Sequence, residues 1–105
     1  MSQFTVYQNV NEHTRRSYPY LLDVQNDLLE GLHSRVVIPL CTTASLGNRS
    51  ISNLCPEFEI LGASYTLLTP QMAGISLSEL GPVVCDFSAH RFEIIKALDF
   101  LFTGF

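Results

Sequence analysis

The residues able to carry acid–base, nucleophilic or metal chemistry are few and widely spaced. His13, His33 and His90 show no H-E-x-x-H or other helical metal spacing, and no pair among the ten acidic residues forms a recognisable general acid–base motif. The chain has neither a Gly-rich phosphate loop nor a G-x-S-x-G elbow. Cys41, Cys55 and Cys85 lie 14 and 30 residues apart with no C-x-x-C pair, so they read as reduced, mostly buried thiols packing as small hydrophobes. His90 reads as a polar residue in the first turn of a helix, and His13, beside two arginines, as a solvated loop residue. No enzyme, metal or cofactor is signalled.

The chemistry left is recognition, and it concentrates at the C-terminus. A chain end is usually polar and frayed, yet this one closes Leu101-Phe102-Thr103-Gly104-Phe105, with a helix-ending glycine and a terminal aromatic. Phe102 and Phe105 either pack into a dimer core or form a recognition tip. In a twofold dimer such a tip is presented twice, which suits a target that is itself twofold symmetric.

Those residues must be positioned by a largely β framework. Gln3–Tyr7 alternates, with Phe4 and Val6 on one face, and the polar stretch from Gln8 to Ser17 reads as a mobile loop. After Pro19, Tyr20, Leu22 and Val24 share a face while Asp23 and Gln25 point the other way, and Asn26-Asp27 turns the chain. Arg35–Leu40 is β-branched, but Pro39 cannot donate to a ladder, which predicts a bulge or an edge there. Thr42 to Asn53 reads as a long irregular loop. Glu57–Leu61, a Gly62-Ala63-Ser64 connection and Tyr65–Leu68 give the best hairpin signal, with Glu57 and Glu59 facing solvent. Pro70 to Asp86 breaks into a helical turn and one last strand through Val83-Val84-Cys85. Ser88 is a good N-cap, Phe87 is placed to staple onto Phe92, and a helix should run from Ala89 to about Phe102.

Composition bounds the whole. With 105 residues there is room for one domain, 1–105. Only 15% of residues are charged while 47% are hydrophobic, and the end of the helix is apolar except at Asp99, which predicts surface hidden in an oligomer. The formal net charge of −4 argues against a binder that neutralises phosphates. No basic-plus-apolar leader and no bilayer-length apolar stretch is visible, so the expectation is a cytoplasmic protein without a membrane partner.

Several stretches in order make a resemblance specific: Gln3-Phe4-Thr5-Val6-Tyr7, Asp23-Val24-Gln25-Asn26-Asp27, Arg35-Val36-Val37-Ile38-Pro39-Leu40, Leu54-Cys55-Pro56 and the closing Leu101-Phe102-Thr103-Gly104-Phe105. Together they resemble the CcdB family, toxins of plasmid and chromosomal toxin–antitoxin modules, over essentially the whole chain. The Gln8 to Ser17 loop looks a few residues longer than in the best-known member.

The resemblance implies a mainly β fold with a C-terminal α-helix, an SH3-like barrel of the CcdB/MazF-like toxin type, forming a homodimer through Leu98, Leu101, Phe102 and Phe105. It implies no cofactor and a bacterial cytoplasmic setting, including plasmid maintenance. Family members poison DNA gyrase by entering between its two A subunits and stabilising the complex in which cut DNA is covalently attached. They are neutralised by a CcdA-like antitoxin, with which they repress their own operon, the operator DNA being contacted only through the antitoxin. The gyrase surface maps here onto Leu28, Leu29, Asp99, Phe102, Thr103, Gly104 and Phe105. Antitoxin candidates are Arg15, Arg16, Leu46, Asn48 and Arg49, in loops that otherwise read as free surface.

Two departures from the family pattern matter. Thr103 stands where the best-known member has a tryptophan stacked on a gyrase arginine, and loss of that cation–π anchor removes ~2 kcal/mol or more at a hot spot. Asp99, in place of an asparagine, offers a charge-assisted bond to the same arginine, and Phe105, in place of an aliphatic residue, supplies a ring. Two rival readings stand beside this one. The first is a messenger-RNA-cleaving ribonuclease on the same fold, for which six basic residues make a poor RNA groove. The second is a nontoxic interaction subunit.

Overall fold

The alternation along the chain folds into seven strands, all paired antiparallel, in a computed structural model that describes residues 2–29, 31–47 and 52–104. The strands are β1 (Thr5–Asn9), β2 (Tyr20–Asp23), β3 (Ser34–Thr42), β4 (Glu57–Ile60), β5 (Ala63–Leu67), β6 (Ala73–Ser76) and β7 (Leu80–Asp86). Among the described residues there are two α-helices, a single turn α1 (Thr43–Leu46) and the C-terminal α2 (Arg91–Thr103). The sheet order is β4-β5-β3-β2-β1-β7, with β6 also paired to β3. In a flat sheet β4 and β1 would stand about 19 Å apart. Instead Phe58 and Ile60 of β4 share one buried cluster with Val6 of β1, Leu22, Ile38, Leu40, Leu67 and Ile94 of α2, so the sheet curls around the helix as a half-barrel. This is the expected mainly β fold with a C-terminal helix. Among the described residues no helix is long and apolar enough to cross a membrane.

The second face of the sheet is covered too, which alternation alone does not reveal. Tyr7, Leu21, Val37 and Cys41 alternate with the core residues and are buried on the other side. Burial, with the Asp23 carboxylate nearby, pushes the Tyr7 phenol above its ordinary range. Asp23 and Gln25, expected to point away from the apolar line, do so and are nonetheless buried. Asp23 and Arg35 are 0% and 1% exposed. Arg35 Nε donates to Asp23 Oδ2 at 2.8 Å, and its Nη2 donates to Asp23 Oδ1 at 3.0 Å and to the Gln25 carbonyl at 3.1 Å. The Gln25 side-chain oxygen accepts from the Val36 N–H at 3.1 Å, and the Phe4 N–H donates to the Asp23 carbonyl at 2.6 Å. The pair therefore locks β2, β3 and the segment entering β1 at one corner.

Several local expectations are corrected. The first strand begins two residues later than read, because Phe4 sits at φ 69° and swings the chain into β1. The Gln8–Ser17 stretch is not a free loop. β1 continues to Asn9, whose buried amide donates to Thr14 Oγ1 at 3.0 Å and to the Tyr18 carbonyl at 2.8 Å, while its oxygen accepts from the Asn11 N–H. Pro39 neither bulges nor lies at an edge. β3 is central, and Pro39 sits where its outer neighbour changes from β6, paired through Val37, to β5, paired from Leu40. The Pro39 carbonyl, on that side, accepts from the Leu68 N–H at 2.9 Å, so the missing donor falls in the gap between two neighbours. Residues 42–53 begin with the end of β3 and α1, and the hairpin turn is Leu61-Gly62, at φ 52° and 84°, rather than Gly62–Ser64. Such a two-residue turn with both φ positive matches the twist of the flanking strands. β6 was not anticipated as a strand. Ser88 opens a 3₁₀ turn, Ser88–His90, held by the Asp86 carboxylate, which accepts from both Ser88 N–H and Oγ and is held below the usual carboxylate range by them. The Phe87–Phe92 staple does not form, since buried Phe87 packs on Phe58 at 4.9 Å while Phe92 points outward.

Two stability predictions follow from this packing. Removing one member of a buried ion pair costs about 3–5 kcal/mol, whereas replacing both by apolar groups is often neutral. Urea unfolding at fixed protein concentration should place both Asp23→Ala and Arg35→Met well below the wild type, since the Gln25 N–H at 3.0 Å from Asp23, and the Gln25 carbonyl at 3.1 Å and Asp27 at 3.7 Å from Arg35, replace only part of the lost pairing. The double variant Asp23→Leu/Arg35→Met should be more stable than Asp23→Ala alone; if it is no more stable, the pair is not the coupled unit described. At Gly81, a Cβ would stand 2.7 Å from the Gln8 carbonyl oxygen. Gly81→Ala should therefore lower the unfolding free energy by about 1–3 kcal/mol in the same assay by prising β7 from β1, and an unchanged midpoint contradicts that contact.

Candidate functional site

α2 has an inner and an outer side. Ile94 and Ala97 are fully buried, and Ile95 and Leu98 pack in part against the core. The helix is anchored at its start by the Phe87 N–H donating to the Phe4 carbonyl at 2.7 Å, and by Arg91 stacked 5.5 Å over the Phe4 ring. His90, ahead of the helix, lies against Phe58 and Phe87 with ring centroids 4.9 and 5.1 Å away.

The outer side carries Phe92, Ile95, Asp99 and Phe102 at helical spacings of 3, 4 and 3 residues, one stripe down the helix. Phe92 is 76% exposed and Phe102 68% exposed, so this stripe leaves two aromatic rings in water. Phe92, Ile95, Lys96 and Asp99 frame a shallow groove on this side. Gly104 ends the helix at φ 80°, with its N–H donating to the Phe100 carbonyl at 2.9 Å. That left-handed cap favours glycine because a Cβ is strained there. Thr103 turns its hydroxyl back onto the Asp99 carbonyl at 2.7 Å, so its one donor is already engaged. Asp99 is exposed and makes no ion pair among the described residues.

The sequence candidates therefore separate into distinct places. Asp99, Phe102, Thr103 and Gly104 stand together on the last turns of α2, and Phe105 lies outside the described residues. Of the dimer candidates, Leu98 and Leu101 are half-buried by their own chain and Phe102 is exposed. Leu28 and Leu29 belong to the 3₁₀ turn Asp27–Leu29, where Leu28 is 90% exposed. That turn is fixed from behind. Asp27 Oδ1 accepts from the Gln3 N–H at 2.7 Å and lies 3.7 Å from Arg35 Nη2, and Asn26 Oδ1 accepts from the Leu28 N–H at 2.8 Å. Of the antitoxin candidates, Arg16 and Leu46 line one groove with Tyr18, Leu68 and Gln71, whereas Arg15 borders another beside Tyr20 and Leu61. Asn48 and Arg49 lie outside the described residues.

Sequence reasoning missed the Asp23–Arg35 pair behind Leu28. Its only signal was an acid and a base twelve residues apart on adjacent strands, legible once the register Asp23↔Val37 is known. Among the described residues no group of three or more His, Cys, Asp or Glu could hold a metal ion. The arrangement is suited to presenting an apolar stripe flanked by one carboxylate.

Comparison with known families agrees with the curled sheet and its C-terminal helix. A family model described as "CcdB protein" matches residues 3–104, from the segment before β1 to the capping glycine of α2, and the chain therefore belongs to the CcdB family of toxin–antitoxin toxins.

Proposed function

We propose that this toxin acts as a non-enzymatic poison of DNA gyrase. As a homodimer it inserts between the two gyrase A subunits and stabilises the state in which cleaved DNA is covalently attached. The observation that carries this reading is the outward stripe of α2, ending in exposed Phe102 beside Asp99 and the Gly104 cap. Such a surface has only to favour one gate conformation over another by differential contact. The redistributed anchors are Asp99, for a charge-assisted bond to a gyrase arginine, and Phe105, for the ring that Thr103 lacks, with Leu28 and Leu29 as a second contact. The Thr103 bond to the Asp99 carbonyl supports this assignment, because it leaves that residue a positioning part in the last turn.

The net charge of −4 fits damage to DNA through another protein's active site. Neutralisation by a CcdA-like antitoxin, and operon repression with it, belong to the same proposal. The groove shared by Arg16 and Leu46 is the better of the two candidate surfaces for that segment, since it brings two of the candidate residues together beside apolar lining.

One assay separates the readings. Purified protein is incubated with gyrase and supercoiled plasmid, and separately with messenger RNA. Linear DNA bearing covalently bound protein is the expected product; cleaved RNA would instead support a ribonuclease, and neither product an inert subunit. In the same assay Asp99→Ala and Phe105→Ala should each weaken gyrase binding about tenfold or more, with thermal unfolding little changed for the exposed Asp99. Unaltered binding and toxicity in both variants would remove the redistributed-anchor proposal.

A further inference from the structure

On the second face of the sheet, away from α2, a cavity of about 200 Å³ opens between the sheet and the 11–18 loop. Its floor is Leu21, Val37 and Pro39, all buried and all on β2 or β3, so it is preformed by paired strands. Ala73 and Ile75 of β6 form one wall and Tyr18 another. The loop is held over this floor by the Asn9 amide and by Asn11, whose Nδ2 donates to Glu79 Oε1 at 2.6 Å. Glu79 is half-buried and is the one charged residue lining the cavity among those described. No Lys, Arg or His among the described residues pairs with it.

We propose that this cavity binds a small organic cation, its compact apolar body on Leu21, Val37 and Pro39 and its amidinium, guanidinium or ammonium head at the Glu79 carboxylate. Size supports this class. A buried apolar cavity of about 150 Å³ accepts benzene, so about 200 Å³ accommodates a ring with one short polar head. Charge supports it as well. A partly desolvated carboxylate that accepts one neutral amide bond gains most from a cation able to donate to its remaining oxygen. An anion would meet that carboxylate as a like charge, and a neutral isostere would forgo the ionic bond. The site is independent of the gyrase surface, for none of its lining residues is among those proposed to meet gyrase.

The test uses the full chain and three probes of one shape: benzamidine, benzamide and benzoate. Each is titrated while backbone amide resonances are followed by NMR. The expected result is saturable shifts clustered at Leu21, Val37, Ala73 and Ile75 with benzamidine, and binding at least tenfold weaker for the other two. Glu79→Gln, which retains the acceptor for Asn11, should abolish the preference for the cation, and Ala73→Leu, which fills the cavity, should abolish binding of all three. Thermal unfolding establishes that both variants are folded, and the wild-type comparison of the three probes stands even if one is not. Shifts that fail to saturate, that map elsewhere, that are equal for the three probes, or that keep their cation preference in Glu79→Gln would overturn the proposal.

Discussion

The bidentate ion pair between Asp23 and Arg35 governs the geometry of one whole end of the molecule. Its two parallel hydrogen bonds join β2 to β3, and the groups around it add the Gln25 carbonyl, the Val36 N–H and the segment before β1. Excluded from water, such a pair gives a strong directional preference, and its members are costly to separate. Among the described residues it is not perfectly satisfied, since buried Arg35 Nη1 has no hydrogen-bond partner there. The arrangement is thus better understood as a device that fixes one geometry than as a large net source of stability. What it fixes includes Asp27 and hence the turn that holds Leu28 out in solvent.

The opposite demand is met at α2. One side supplies Ile94 and Ala97 to the core, while the other leaves Phe92 and Phe102 uncovered. These two aromatics account for part of the low charged fraction noted in the sequence, and they give that fraction a place. Under the proposed function, a dimer contact and a target contact on neighbouring residues of one helix end would couple assembly to recognition, because ordering the tip in a dimer would lower the entropic cost of presenting it to the target. Gly104 contributes by ending the helix abruptly in a left-handed cap.

The parts of this fold legible in the sequence are those governed by one local rule. The hairpin, the Asn26-Asp27 turn, the C-terminal helix and its glycine cap each depend on residues within a few positions of one another. The parts that were not legible depend on what lies across the sheet. Period-2 alternation placed Asp23 opposite Leu22 correctly, yet it carries no information on whether the far face is covered, and that face holds Arg35, Leu21 and Val37. Pro39 predicts a bulge or an edge because a proline breaks a ladder; the gap between β5 and β6 on one side of β3 satisfies the same rule inside the sheet. Leu61 looked like a strand residue and became a turn residue because Gly62 beside it permits a two-residue connection. For the site, the last turn of α2 was recognisable from its residues, while the support behind Leu28 and the cavity beside Glu79 required the register of three strands.

Under the proposed function, a twofold toxin engages a twofold target through the last turn of its C-terminal helix. This engagement is tested most directly by calorimetric titration of the purified toxin into the gyrase A subunit, read for stoichiometry as well as affinity. Two toxin chains should bind per pair of A subunits, with the binding lost in a Phe102→Asp variant whose fold is intact. One toxin chain per A subunit pair, independent binding at two separate sites, or undiminished binding of Phe102→Asp would contradict it.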